Sequence, residues 1–128
     1  MGTTVLLVDD NADNQEIYRI ILVHHGFTVL LADDGEAGVR MARSHAPDLI
    51  LMDLTMPIID GLQATRILKA DPATCAIPIV ALTAHAMRED EVAAKEAGCD
   101  SFLSKPVEPR RVAAEVRRLL SLPAPQTA

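Results

Sequence analysis

The chain lacks an excess of positive charge: across 128 residues the formal net charge is −6. That argues against a domain whose affinity comes from neutralising nucleic-acid phosphates or anionic lipid. It is poor in cysteine, and the two present, Cys75 and Cys99, form no CxxC pattern. With no basic-then-apolar leader ahead of the first apolar run, a reducing cytoplasm and two free thiols are expected. It has no apolar run approaching a membrane span. Met1-Gly2 resembles the start of an acylation signal, but Leu6 stands where that signal requires Ser or Thr, so a soluble protein is expected. No Cys/His cluster with zinc spacing is present, and no glycine-rich or Ser/Thr-rich phosphate loop follows the first apolar run. The second absence sets aside a nucleotide or flavin enzyme, because Asp9-Asp10 at that place repels a phosphate.

What remains is a chain of one-domain size, 49% hydrophobic and 23% charged, apolar enough to fold without disulfides or a structural metal. Val5-Leu6-Leu7-Val8 reads as a buried strand ending in Asp9-Asp10. The period then changes: Ile17, Ile20, Ile21 and His24 share a helical face and Gly26 follows as a C-cap, which predicts a helix over 14–25. The unit repeats as strands over 28–32, 49–52, 79–82 and 101–103, with helices over 35–44, 62–70, 89–97 and 109–122. Five βα units imply an α/β fold with a parallel sheet, buried on both faces and joined by right-handed crossovers. Val112, Val116, Leu119 and Leu120 make the last helix the clearest amphipathic one. Beyond it, residues 123–128 carry two prolines and no periodicity, and are expected to be a disordered tail or the stub of a linker.

In an open α/β sheet, the loops after the strand carboxyl ends form the ligand crevice. Five separated polar residues arrive there: Asp9 and Asp10 after the first strand, Asp53 at the end of the third, Thr83 after the fourth and Lys105 after the fifth. Clustered carboxylates repel by about 4 kcal/mol per pair at ~4 Å and an effective dielectric of 20, so they need counter-charge. Lys105 and a divalent cation supply it, and an all-oxygen site suits Mg²⁺. Asp53 is the best nucleophile toward a phosphoryl group, since it leaves the central strand and is followed by the turn formers Met56-Pro57 and Asp60-Gly61. Thr83 and Lys105 suit the binding of phosphoryl oxygens.

Val-Asp-Asp-Asn at 8–11, Leu-Met-Asp-Leu-Thr-Met-Pro at 51–57, Asp-Gly at 60–61, Ala-Leu-Thr-Ala at 81–84 and Ser-Lys-Pro at 104–106 together resemble the receiver domain of response regulators, over nearly the whole chain. The resemblance implies a flavodoxin-like five-stranded parallel sheet, order 2-1-3-4-5, flanked by five helices, with 1–122 as the receiver domain. It implies that Asp53 takes phosphate from the phosphohistidine of a histidine kinase or phosphotransfer protein. Asp10, Asp53 and the backbone carbonyl of Thr55 would hold Mg²⁺, with Asp9 acting largely through water. Thr83 and Lys105 would hold the phosphoryl oxygens, Phe102 would be the aromatic switch moving with Thr83, and the Lys105-Pro106 bond would be cis. Pro57, Gly61 and Pro106 would set the loop geometry. Thr55 and His85 would flank the path of an attacking water. The domain would be no enzyme in the ordinary sense, though it would catalyse its own phosphorylation and dephosphorylation.

Plainer readings accompany these. Asp9-Asp10-Asn11 alone is a loop and helix N-cap, Thr83 alone a turn residue, Lys105 alone a surface lysine and Phe102 alone ordinary strand packing. The exposed pair Ile58-Ile59 suits kinase docking or nothing at all. Arg110, Arg111, Arg117 and Arg118 read as a solvated face ahead of a partner patch. His24, His25, His45 and His85 have no metal spacing or partner base. The expected function is a two-component switch acting through an upstream kinase and a downstream protein target, as a monomer or weak dimer without nucleic acid or membrane. The alternatives are a phosphorylation-independent interaction module and a receiver excised from a hybrid kinase. The start at Met1 and the short tail favour a single-domain protein.

Overall fold

The computed structural model describes residues 3–54, 60–83, 88–105 and 107–120. Thr55, Pro57, Ile58, Ile59, His85, Pro106 and the expected tail at 123–128 lie outside the described residues. Strand and helix alternate throughout: β1 Thr4–Val8, α1 Ala12–His24, β2 Thr28–Ala32, α2 Gly35–His45, β3 Leu49–Asp53, α3 Gly61–Ala70, β4 Ile79–Thr83, α4 Arg88–Ala97, β5 Ser101–Ser104 and α5 Pro109–Leu119. The strands pair in parallel in the order β2-β1-β3-β4-β5. This is the α/β, flavodoxin-like sheet that the resemblance implied.

The two-residue period of the strands divides the core in two. Val5, Leu7, Leu49, Leu51, Val80 and Leu82 pack with Tyr18 and Leu22 of α1 and with Val112 and Val116 of α5. Leu6, Val8, Ile50, Met52 and Ile79 pack with Val39 and Ala42 of α2 and with Ala64 and Leu68 of α3. Residues of both sets on β1 and β3 are fully buried, which is why those segments read as unbroken apolar runs. Carried on by the same alternation, Asp9 follows Leu7, Asp53 follows Leu51 and Lys105 follows Leu103, all toward the α1 and α5 side.

Several boundaries move. Helix α1 begins at Ala12, two residues before its expected start, because Asn11 is the N-cap and its side chain accepts from the Asn14 amide. Its inward face is also different. Gln15, Tyr18 and Leu22 are buried, whereas Ile17 is 51% and Ile20 56% exposed. Ile21 is half-buried, the one expected apolar face residue packed against the core. The apolar period was real, but the sheet lies against a face rotated from it. Gly26 takes a φ of 90° just past the cap residue His25, a left-handed position that suits glycine. Helix α5 ends at Leu119 with Leu120 as its cap, short of the expected Leu122.

Strands β3, β4 and β5 each run one residue further than their apolar pattern. Asp53, Thr83 and Ser104 are therefore strand residues, paired as Asp53 with Leu82 and Thr83 with Ser104. Ladder-like bonds extend further still, from the Asp9 amide to the Ala32 carbonyl at 3.1 Å and from the Lys105 amide to the Thr83 carbonyl at 2.6 Å. Asp9, Asp53, Thr83 and Lys105 at this rim are thus held by the backbone ladder itself, while Asp10 lies just beyond it.

Candidate functional site

Asp9, Asp10 and Asp53 meet at the carboxyl rim of β1 and β3, each offering a carboxylate oxygen such that all lie within 4.8 Å of one another. Asp9 is 0% and Asp53 4% exposed, while Asp10 faces solvent. Lys105 arrives from the end of β5 and bridges the two buried acids: its Nζ stands 3.4 Å from Asp9 Oδ2 and 3.3 Å from Asp53 Oδ2. Burial alone works against the lysine charge, but the carboxylates of Asp53 and Asp9 outweigh it and hold the ammonium above its ordinary pKa. Asp9 is further fixed by the Asn11 amide, which donates to its Oδ1 at 2.9 Å.

Thr83 is buried at the end of β4, one residue beyond the Leu82 that pairs with Asp53. Phe102 stands on β5, paired with Ala81 and half-buried, at the wall of a recess of about 370 Å³ shared with Glu91, Val107 and Arg111. The structure thus gathers Asp9, Asp10, Asp53 and Lys105 at one point and sets Thr83 on the adjoining strand. Phe102 lies on the strand beyond, at the edge of the sheet. Thr55, Pro57 and Pro106 lie outside the described residues.

Gly61 is not a turn residue over the site, as the Asp-Gly pair suggested, but the first residue of α3, capped by Asp60 through the Gln63 amide. Its lack of a side chain is demanded by proximity. A Cβ there would fall 2.2 Å from the Asp53 carbonyl oxygen and 2.7 Å from the Leu54 Cα, both main chain.

Two residues that sequence reasoning passed over face this cluster. Tyr18 is buried beneath it; burial is the main cause of its raised phenol pKa, with Lys105 opposing and Asp9 and Asp53 adding. Gln15 is buried too, and its amide reaches the main chain of Asp9. In the sequence both sit inside an ordinary helical pattern, and no spacing distinguishes them.

The donor set fits a hard divalent cation. Three carboxylates against one ammonium leave two negative charges uncompensated, and every candidate ligand atom is oxygen. At 4.8 Å and an effective dielectric of 20, each pair repels by about 3 kcal/mol, a cost that a divalent ion offsets.

Comparison with known proteins bears on the family and the fold. The family model for the response regulator receiver domain matches residues 5–117. The polar-differentiation response regulator DivK of Brucella anthropi is 37% identical over 107 residues, covering 84% of this chain and 87% of that protein. The receiver domain of the sensor histidine kinase PA1611 from Pseudomonas aeruginosa, solved with a magnesium ion coordinated in its active-site cleft, superposes with a TM-score of 0.88 at 36% identity, over 94% of this chain and 99% of that one. The Vibrio cholerae chemotaxis protein CheY4 superposes with a TM-score of 0.87 at 25% identity, over 92% of this chain and 98% of that one.

Proposed function

This chain belongs to the response regulator receiver family of two-component systems, and from that premise we propose that it is phosphorylated on Asp53 in a Mg²⁺-dependent reaction. The observation that carries the reading is the meeting of Asp9, Asp10 and Asp53 within 4.8 Å, with Lys105 bridging two of them. The donor is a phosphohistidine on a histidine kinase or phosphotransfer protein. An Asp53 carboxylate oxygen forms the new bond to phosphorus, and the bond from phosphorus to the donor imidazole breaks with its electron pair leaving on that ring.

Asp10 and Asp53 would hold the ion, with the backbone carbonyl of Thr55 as the further ligand that the resemblance implies, and Asp9 would act through water. Mg²⁺ shields the approach of two anions and neutralises charge on the transferred oxygens. Lys105 is already drawn to Asp53 and needs only a short movement to reach a phosphoryl oxygen there. The Thr83 hydroxyl binds a second oxygen, and its displacement toward phosphate couples the site to Phe102 on β5. Water attacking phosphorus breaks its bond to the Asp53 oxygen, releases inorganic phosphate and returns the domain to its starting state, so both phosphorylation and its reversal are self-catalysed.

The signal is a population shift between two conformations, driven by the difference in phosphoryl contacts between them. Its readers are protein partners, met by the domain as a monomer or weak dimer. The reducing cytoplasm suits Cys75 and Cys99, both free thiols. Among the described residues no helix is long and apolar enough to cross a membrane.

Labelling with acetyl phosphate and Mg²⁺ tests the assignment. Asp53→Asn is expected to abolish incorporation, and undiminished labelling of that variant removes the proposal. Partner affinity that ignores phosphorylation would instead favour a constitutive interaction module.

A further inference from the structure

We propose that Gln15 is a positioning residue for the acid cluster: its side-chain amide fixes the Asp9 main chain so that Asp9 and Asp10 present their carboxylates to the cation. The inference rests on the reading of the cluster as a Mg²⁺ site and extends it to a residue outside the cluster.

The residue is 8% exposed, on the inward face of α1. Its Nε2 donates to the Asp9 carbonyl at 2.6 Å and to Asp33 Oδ1 at 2.9 Å, with the Ala32 carbonyl at 3.4 Å as a weaker third contact. Two amide hydrogens therefore serve two strong acceptors, one at the end of β1 and one just past β2. The Asp9 carbonyl needs such a donor, because Asp9 bonds toward β2, its amide to the Ala32 carbonyl, and the β1–β2 pairing ends at Val8 with Ala32. A buried carbonyl left without a partner is destabilising, which is why this one contact matters.

The bond also closes a ring. The Asn11 amide donates to Asp9 Oδ1 at 2.9 Å, the Gln15 backbone amide donates to the Asn11 carbonyl at 3.0 Å, and the Gln15 side chain returns to the Asp9 carbonyl. Asp10 lies inside this ring, exposed, and no hydrogen bond holds its side chain among the described residues. Its direction is inherited from the peptide planes on either side, and Gln15 holds one of them. A glutamate of the same length would set a further negative charge against Asp33 and the cluster. A methionine would fill the space without donating. The neutral amide is the side chain of this length that donates without changing the charge of the site.

Isothermal titration of the metal-free chain with Mg²⁺ tests the proposal. Gln15→Met is expected to bind about tenfold more weakly, as removal of an outer-sphere partner does. Its acetyl phosphate labelling should return to within about twofold of the unaltered rate at saturating Mg²⁺, since the nucleophile and Lys105 are intact. Leu22→Ala, which loosens the same helix about two turns away, should lower Tm while leaving Mg²⁺ affinity unchanged. Asp33→Asn, at an exposed position that does not endanger folding, should weaken Mg²⁺ by about threefold by slackening the amide's second bond. Equal Mg²⁺ affinity in the unaltered chain, Gln15→Met and Asp33→Asn overturns the proposal alone, as does equal weakening by Leu22→Ala. A chain that binds no Mg²⁺ before any substitution overturns both this proposal and the metal reading on which it rests.

Discussion

Gly61 and Asp53 are packed main chain against main chain, close enough that a single added methyl at Gly61 would stand 2.2 Å from the Asp53 carbonyl oxygen. No side-chain rotation relieves that overlap, because the opposing atoms are backbone on a central strand. Gly61→Ala is therefore expected to shift β3 against α3 and cost about 2–3 kcal/mol, the range for overpacking a close-packed interior. Because the displaced residue is Asp53, labelling by acetyl phosphate should fall as well. Unfolding in urea together with the labelling rate checks this, and a variant with unchanged midpoint would show the contact to be soft.

Removing one acid should stabilise the metal-free chain. Asp10 is the exposed member of the triad and is not bridged by Lys105, so Asp10→Asn relieves repulsion without breaking an ion pair. About 1 kcal/mol of gain is expected after solvent screening, or a Tm rise of about 3 °C. Excess Mg²⁺ should erase the gain, since it stabilises the unaltered chain more. Thermal unfolding with and without Mg²⁺ reads both effects, and a lower metal-free Tm for the variant would count against it.

Lys105→Met should do the reverse. Asp9 and Asp53 would stay buried without their ammonium, a loss of about 3 kcal/mol in the absence of metal. The pH dependence has a definite sign. A lysine held above its ordinary 10.5 contributes stability that is complete below that value and is lost as pH rises through the raised one. Alkaline unfolding should therefore show a component that disappears in the methionine variant. Identical alkaline profiles would mean that the ion pairs contribute nothing.

A second pH effect lies on the same face of the sheet, at the start of β5. Glu115 of α5 accepts from Arg118 at 2.8 and 2.6 Å and from the Ser101 hydroxyl on β5. The Arg118 bonds lead in lowering its pKa from 4.5 to about 2, against the opposing effect of burial, and Ser101 adds to the lowering. A carboxylate so depressed stabilises the fold above pH 4.5, and that contribution fades as pH falls from 4.5 toward about 2. Glu115→Gln should flatten the stability curve in that window alone. Denaturant midpoints taken at successive pH values test it, and parallel curves would contradict it.

Much of the architecture was legible along the chain because it depends on local periodicity. Leu49–Met52 is apolar at every position, so it could only be a strand buried on both faces, and Asp53 at its end stood out as an acid needing compensation. The α1 face was misread for a related reason. Ile17, Ile20, Ile21 and His24 satisfied the helical period as well as Gln15, Tyr18 and Leu22 did, and hydrophobicity favoured the first set. Strand-end carbonyls drew a buried amide to Gln15, a demand that no composition records.

By itself the sequence determined the βα alternation, the strand parity that sends Asp9, Asp53 and Lys105 to one side, and the sign of the charge gathered at the strand ends. Those properties are set by residues within one or two turns of each other. Only the tertiary structure decided that Lys105 would bridge Asp9 and Asp53, 96 and 52 residues away. It also decided that Gly61 would touch the Asp53 backbone and that Gln15 would hold the Asp9 carbonyl. Each of these depends on which strands are neighbours and which helix covers them. That order comes from burying both faces of the sheet at once, and no local stretch of the chain carries it.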